Sequence, residues 1–215
     1  MRVLQDNFDL ILDGFLETLK LLVVSALGAM IIGTLVAAAR VSPVSILRTV
    51  GATYVTLFRN TPLLVLLILT YFGLPQLDIR FSFFTMVTMA MALYTAAFVA
   101  EVLRSGVNSI PVGQAEAARA IGLPFGKTMT KVILPLSMRA VVPPMANVFI
   151  ALTKNTSLAS SFGVLEATAR MKGLLNNNAT ARWEIFIGIA LGYIVIVEVI
   201  SGAAALLERR WRAES

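Results

Sequence analysis

The chain contains no cysteine and no histidine among its 215 residues, and only 14% of them are charged. Without cysteine there is no disulfide, thiol nucleophile or thiolate site, and without histidine no imidazole titrates near neutral pH or ligates a metal. The missing thiols leave the redox compartment open. No metal site and no catalytic residue is expected. Linkers are missing too: no Pro/Gly/Ser-rich or low-complexity tract divides the chain, so 1–215 reads as a single domain. Apolar residues are plentiful, at 58% of the chain, and the mean hydropathy is +0.83, far from an average soluble domain. Such a composition belongs in a bilayer.

A helix crosses the hydrocarbon core with about 20 apolar residues. Uncharged runs of that order cover Leu21 to Ala39, Phe81 to Ala100, and Ile185 to Val197, the last continuing past Glu198 to Leu207. Two runs are interrupted: one from about Val50 to Phe72 contains Arg59 and Pro62, and one from about Ala140 to Thr153 contains Pro143-Pro144 and ends at Lys154. Both read as kinked or functional spans, because proline frees backbone groups that lipid cannot satisfy. The expected fold is an all-α membrane protein with five transmembrane helices, at about 15–40, 50–72, 81–103, 136–153 and 184–207. In the first span Gly28, Gly33 and Ala37 read as helix-packing residues. That span is expected to be retained, since Asp6, Asp9, Asp13 and Glu17 precede it where a basic leader would stand, and these acids read as a solvated face.

The net charge of +6 could suggest nucleic acid, but the cations are scattered between apolar runs instead of gathered on one polar face. No nucleic-acid partner is expected, and the cations read as topology signals. Arg40 and Arg48 follow the first span, Arg104, Arg119, Lys127, Lys131 and Arg139 surround the connection between spans three and four, and Arg209, Arg210 and Arg212 follow the fifth. Placing these in the cytoplasm puts the N-terminus outside and the C-terminus inside.

The connection at about 105–135 carries its own structure. Ser109 is a plausible N-cap, Pro111 suits a first turn, Gln114 to Ile121 are mostly helix formers, and Gly122 with Pro124 behind it is a stop signal. A short helix between two spans is a docking element more than a plain connector, since connectors in compact proteins are usually shorter. Within the same segment, Gly122 to Thr128 (Gly-Leu-Pro-Phe-Gly-Lys-Thr) approaches a phosphate-binding loop but is one residue short, and a helix precedes it where a strand is required.

Glu116-Ala117-Ala118, then Gly122, then Val132-Ile133-Leu134-Pro135, resembles the signature loop of permease subunits of binding-protein-dependent ABC importers. Agreement with the polar amino acid branch of that family continues in Arg59-Asn60-Thr61-Pro62-Leu63-Leu64, in Val99-Ala100-Glu101 with Leu103-Arg104-Ser105-Gly106, and in Leu152 to Ala159. The resemblance covers most of the chain from the first span onward. It implies a type I importer permease fold in a bacterial inner membrane, with the loop helix seated on a cytoplasmic ABC ATPase dimer. Ala117, Ala118 and Gly122 would permit close approach to that partner, and Glu116 would anchor it. It further implies a second permease subunit, identical or homologous, and an external substrate-binding protein. ATP and magnesium would be bound by the ATPase, with no cofactor in this chain. The Thr-Lys-Asn-Thr run is similar to the glutamate-uptake permeases, with glutamine or aspartate as the next substrates.

Ionisable residues inside the spans each cost roughly 2.5–3.5 kcal/mol at the bilayer centre on insertion scales, so each must face protein or water. Glu101 and Arg104 are three apart and read as a structural ion pair. Glu198 has no local partner and could meet Lys154 or Arg59. Arg59, Asn60 and Thr61 at the Pro62 break read either as pathway lining or as a snorkelling cation beside a packing kink. Lys154, Asn155, Thr156 and Ser157 offer donors for a carboxylate, and Asn155 stands where the family more often has aspartate, which favours an anionic substrate. A secondary transporter would need inverted repeats or a proton relay, neither of which the sequence carries. For a membrane scaffold, the polar residues of the broken spans would have no purpose.

Overall fold

The computed structural model describes residues 2–213, with side chains to residue 210. In chain order the helices are α1 (Arg2–Asp6), α2 (Phe8–Val41), α3 (Ser45–Asn60), α4 (Leu63–Gln76), α5 (Phe83–Asn108), α6 (Val112–Ala120), α7 (Phe125–Phe162), α8 (Ala167–Asn177) and α9 (Arg182–Ala213). Four of them, α2, α5, α7 and α9, are long and apolar enough to cross a membrane, and α3 with α4 makes a fifth if the bent pair counts as one span.

α2 and α5 form the most extensive helix pair. On α2 the buried positions are Gly14, Thr18, Leu21, Leu22, Ser25, Ala29, Gly33 and Ala37, a stripe of three- and four-residue steps in which most side chains are small. α5 answers with Ala90, Ala92, Ala96, Ala97 and Ala100, also buried. A Cβ on Gly33 would lie 2.6 Å from Val99 Cγ1, and one on Gly28 would lie 3.0 Å from Ala92 Cβ. In lipid, where no hydrophobic force pulls helices together, this close approach is how they gain contact.

The second span is broken more sharply than a proline kink: α3 and α4 meet at 98° across Thr61-Pro62. The Thr61 hydroxyl donates to the Leu57 carbonyl at 2.8 Å, satisfying one acceptor exposed at the break. Packing distinguishes a crossing from a hairpin that returns to its own side. Gly51 lies against Val36, Ala39 and Arg40, and Val55 packs with Ala37 and Ala100. Farther along, Leu63 and Leu67 pack with Leu21, Val87 and Met91, and Tyr71 meets Phe83 and Phe162. The segment therefore travels from one end of the α2–α5 pair to the other.

Between the third and fourth spans, helix occupies more of the chain than the sequence suggests. α5 runs to Asn108 and α7 resumes at Phe125, so Val132 to Pro135 lie inside α7 and not in a loop. Ser109 caps no N-terminus. It closes α5, its hydroxyl donating to the Gly106 carbonyl at 2.7 Å, because Pro111 is extended at ψ 135° and α6 can begin only after it. At the far end of α6, Gly122 adopts φ +81°, with Gly122 N–H donating to Arg119 O and Leu123 N–H to Ala118 O, the paired bonds of a Schellman stop. Pro143 and Pro144 sit within an uninterrupted helix. The irregularity lies elsewhere: π turns at Leu69–Gly73 and Met129–Ile133 each precede a Leu-Pro pair, Leu74-Pro75 and Leu134-Pro135. Proline has no N–H for the carbonyl four residues back, and the wider π register offers that carbonyl a donor one residue later.

α8 lies between the last two spans and is tied down by Glu166, a residue the sequence pattern does not single out. Its fully buried carboxylate caps α8 by accepting from Thr168 N–H at 2.9 Å and Ala169 N–H at 2.8 Å, and accepts from the Tyr193 hydroxyl of α9 at 2.6 Å. Burial pushes this carboxyl above its ordinary pKa, while the three donors pull it back down. Ala167 N–H donates to Thr18 Oγ1 at 3.2 Å, which joins α8 to α2. Glu166→Ala removes a cap worth about 0.5–2 kcal/mol and leaves the Tyr193 hydroxyl only its 3.1 Å contact with the Thr168 hydroxyl. Thermal unfolding should therefore come several degrees lower for Glu166→Ala than for Tyr193→Phe; equal midpoints for the two variants would contradict the capping role.

Candidate functional site

Three polar groupings interrupt the apolar body. The first gathers arginines from three helices around one acid. Glu101 on α5 pairs with Arg104 Nη2 at 2.5 Å and with Arg40 of α2, and Arg59 of α3 approaches to 3.8 Å. The Glu101–Arg104 pair is thus present within a larger cluster, in which one carboxylate serves three guanidiniums. Arg59 also lies 5.5 Å over the Phe98 ring, a cation–π distance. Glu198 takes neither cation suggested for it: it is exposed on α9, Arg59 is held at Glu101, and Lys154 faces a different cleft.

The end of α7 does not present its four polar residues as one surface. Asn155 lines a cleft of about 360 Å³ with Tyr94, Thr95, Phe98 and Asn147. Lys154 and Ser157 line a separate cleft of about 280 Å³ beside Thr168 and Tyr193. Thr156 faces neither; it is fully buried and its hydroxyl donates to the Thr153 carbonyl at 2.6 Å. Consecutive helical residues point about 100° apart, so the four face different neighbours, and Thr156 falls on the packed side with the buried Leu152 and Thr153. At the Pro62 break, Asn60 is exposed and Thr61 is committed to its own backbone, leaving Arg59 to connect the two regions: Phe98 carries its guanidinium and also lines the Asn155 cleft. Amides and hydroxyls that can donate or accept, with a guanidinium at the shared wall, suit a small polar solute carrying carboxylate.

The third grouping is α6. Glu116 and Ala117 are exposed, and so are the large apolar side chains Val112 (69%), Ile121 (79%) and Phe125 (74%) around them. Ala118 behaves differently from the expectation, since it is buried at 4% against its own chain and cannot open space for a partner. An exposed apolar rim on a capped helix of nine residues, beyond the ends of the spans, has the character of an interaction surface.

A family model described as "binding-protein-dependent transport system inner membrane component" matches residues 29–213. The chain belongs to that family. The glutamate transport system permease protein GluC of Corynebacterium glutamicum is 43% identical over 198 residues, covering 86% of this chain and 87% of the relative. The probable glutamine ABC transporter permease protein GlnM of Bacillus subtilis is 35% identical over 208 residues, covering 97% and 96%. Among solved structures, the crystal structure of an amino acid ABC transporter with histidines superposes with a TM-score of 0.89 at 30% identity, covering 96% of each chain. The chain is therefore a multi-pass inner-membrane permease component whose partners include an ATPase and a substrate-binding protein, and it is not itself the enzyme that hydrolyses ATP.

Sequence reasoning missed Arg40 as a member of the permease's charged cluster, because it stands 61 residues from Glu101 and reads equally well as a topology signal. Removing Glu101 leaves three guanidiniums converging without a counter-charge. For fully buried pairs the loss of one partner costs about 3–5 kcal/mol; Glu101 retains 25% side-chain exposure, so water reduces that figure here. Glu101→Gln should lower the purified permease's unfolding temperature more than Arg104→Gln does. The reverse order in a thermal melt would show that the acid does not hold the cluster.

Proposed function

We propose that the chain is the permease of an ATP-driven importer of a polar amino acid, with glutamate as the first substrate, working as a dimer with an identical or homologous permease. The observation that carries the coupling half of this reading is α6, a helix outside the spans whose exposed Val112, Ile121 and Phe125 flank Glu116. An ATPase groove that covers those apolar side chains and pairs with Glu116 would feel the helix move and pass that movement through α7, whose first turn begins three residues after Gly122. Gly122 at φ +81° lets the chain turn there, which a side chain would strain. ATP and magnesium belong to the ATPase, whose binding and hydrolysis drive the dimer between outward- and inward-facing states. No residue of this chain is catalytic.

The substrate half rests on the Asn155 cleft and on relatedness. Asn155 in place of an acid, beside the Phe98 wall that carries Arg59, favours a solute with a net negative charge. The similarity to the glutamate permease GluC supports the same choice, and the probable glutamine permease GlnM keeps glutamine as the alternative. The N-terminus is placed outside and the C-terminus in the cytoplasm on the distribution of arginine and lysine.

Glu116→Lys should leave the permease at normal membrane levels and reduce uptake at least tenfold in cells carrying the complete transporter. Wild-type uptake at equal protein level would show that α6 does not couple. Asn155→Asp should depress uptake of glutamate and aspartate more than that of glutamine; equal losses for acidic and neutral substrates would assign Asn155 a structural role.

A further inference from the structure

At the end of the bundle opposite α6, an open cavity of about 440 Å³ lies between the start of α2, the start of α5 and the turn that leads into α8. Its size falls within the roughly 300–1,000 Å³ of small-molecule sites. Asp13, Glu17, Lys20 and Arg170 line it, two acids and two bases, so the lining is charged and carries no net charge. Glu17 and Lys20 are already paired at 2.9 Å. Asp13 and the Arg170 guanidinium share the cavity and, among the described residues, form no ion pair with each other. Gly14 is what lets the arginine lie there, since a Cβ at that position would stand 2.8 Å from Arg170 Cγ.

We propose that this cavity is a second binding site of the permease, taking the zwitterionic main-chain end of an α-amino acid, with the ammonium on Asp13 and the carboxylate on Arg170. The inference rests on the amino-acid reading above and adds a site that is separate from the Asn155 cleft. A separated acid and base suit a ligand carrying both charges on adjacent groups, whereas a purely anionic or cationic solute would leave one of the two unanswered. Recognition of the main chain alone makes the site indifferent to the side chain, so glutamate and glutamine should compete for it.

The test is equilibrium binding of labelled glutamate to the purified permease–ATPase complex in lipid nanodiscs, with the external binding protein absent. Two saturable events per permease chain are expected. Asp13→Asn and Arg170→Gln should each weaken one of them by about tenfold or more, the loss of one charge-assisted hydrogen bond, and Asn155→Ala should weaken the other. Arg170→Lys, which keeps the charge and most of the stem, should bind better than Arg170→Gln if the complex remains folded by thermal melt. Binding insensitive to Asp13→Asn and to Arg170→Gln, in a complex that still imports glutamate when reconstituted in liposomes with the binding protein, overturns the site alone. Absence of both binding and ATP-driven uptake of every amino acid by the wild type overturns the amino-acid reading with it.

Discussion

The α2–α5 seam is the constraint from which the rest of the structure hangs. Two long helices meet along positions that are glycine, alanine, serine or threonine for most of their length, so the backbones approach as closely as side-chain volume allows. Most of the remaining elements then pack on this pair, while α9 packs chiefly on α7 and α6 on the start of α7. α3 and α4 run along it from end to end, α7 lies against α5, and α8 is joined to α2 through Thr18 and to α9 through Glu166 and Tyr193. Close packing between small residues, with Leu21, Leu22, Val87 and Met91 interlocked among them, leaves the seam little freedom to re-register. Bending is left to the places where the backbone ladder is already interrupted: the Thr61-Pro62 break and the π turns ahead of Pro75 and Pro135.

Charge is scarce in this chain, and where it occurs inside the spans it is organised by packing. Glu101 sits one residue beyond Ala100 of the seam, and Arg40 stands at the last turn of α2, so the close approach of the two helices brings their charges together. Arg59 joins from the last turn of α3, just before the break. The arrangement couples the position of the broken span to the seam through one carboxylate. It also holds a guanidinium at the Phe98 wall of the Asn155 cleft.

Much of the fold was legible because lipid imposes simple rules. Spans one, three and five are long uncharged runs, and the helix before Gly122 announces itself through its proline start and glycine stop. What escaped depended on partners remote in sequence or on small changes of helical register. The 98° bend at Pro62 follows from packing along α2 and α5, while Pro143-Pro144 causes no break at all. Thr156 carries the right chemistry for a pathway yet faces inward, because it lies three and four residues after the buried Thr153 and Leu152 on the packed face of α7. Glu166 caps a helix with a side chain seldom used for that purpose, and its second partner, Tyr193, lies 27 residues away.

The most direct test of the seam as a fixed frame is to lock it. Because the chain contains no cysteine, Gly28→Cys with Ala92→Cys introduces a single pair at positions whose Cβ atoms would be in contact. ATP-driven uptake by the reconstituted transporter should persist after the disulfide is formed, showing that the cycle moves other elements past an immobile α2–α5 pair. Uptake abolished by the disulfide and restored by reductant would contradict the account, placing the transport motion in the seam itself.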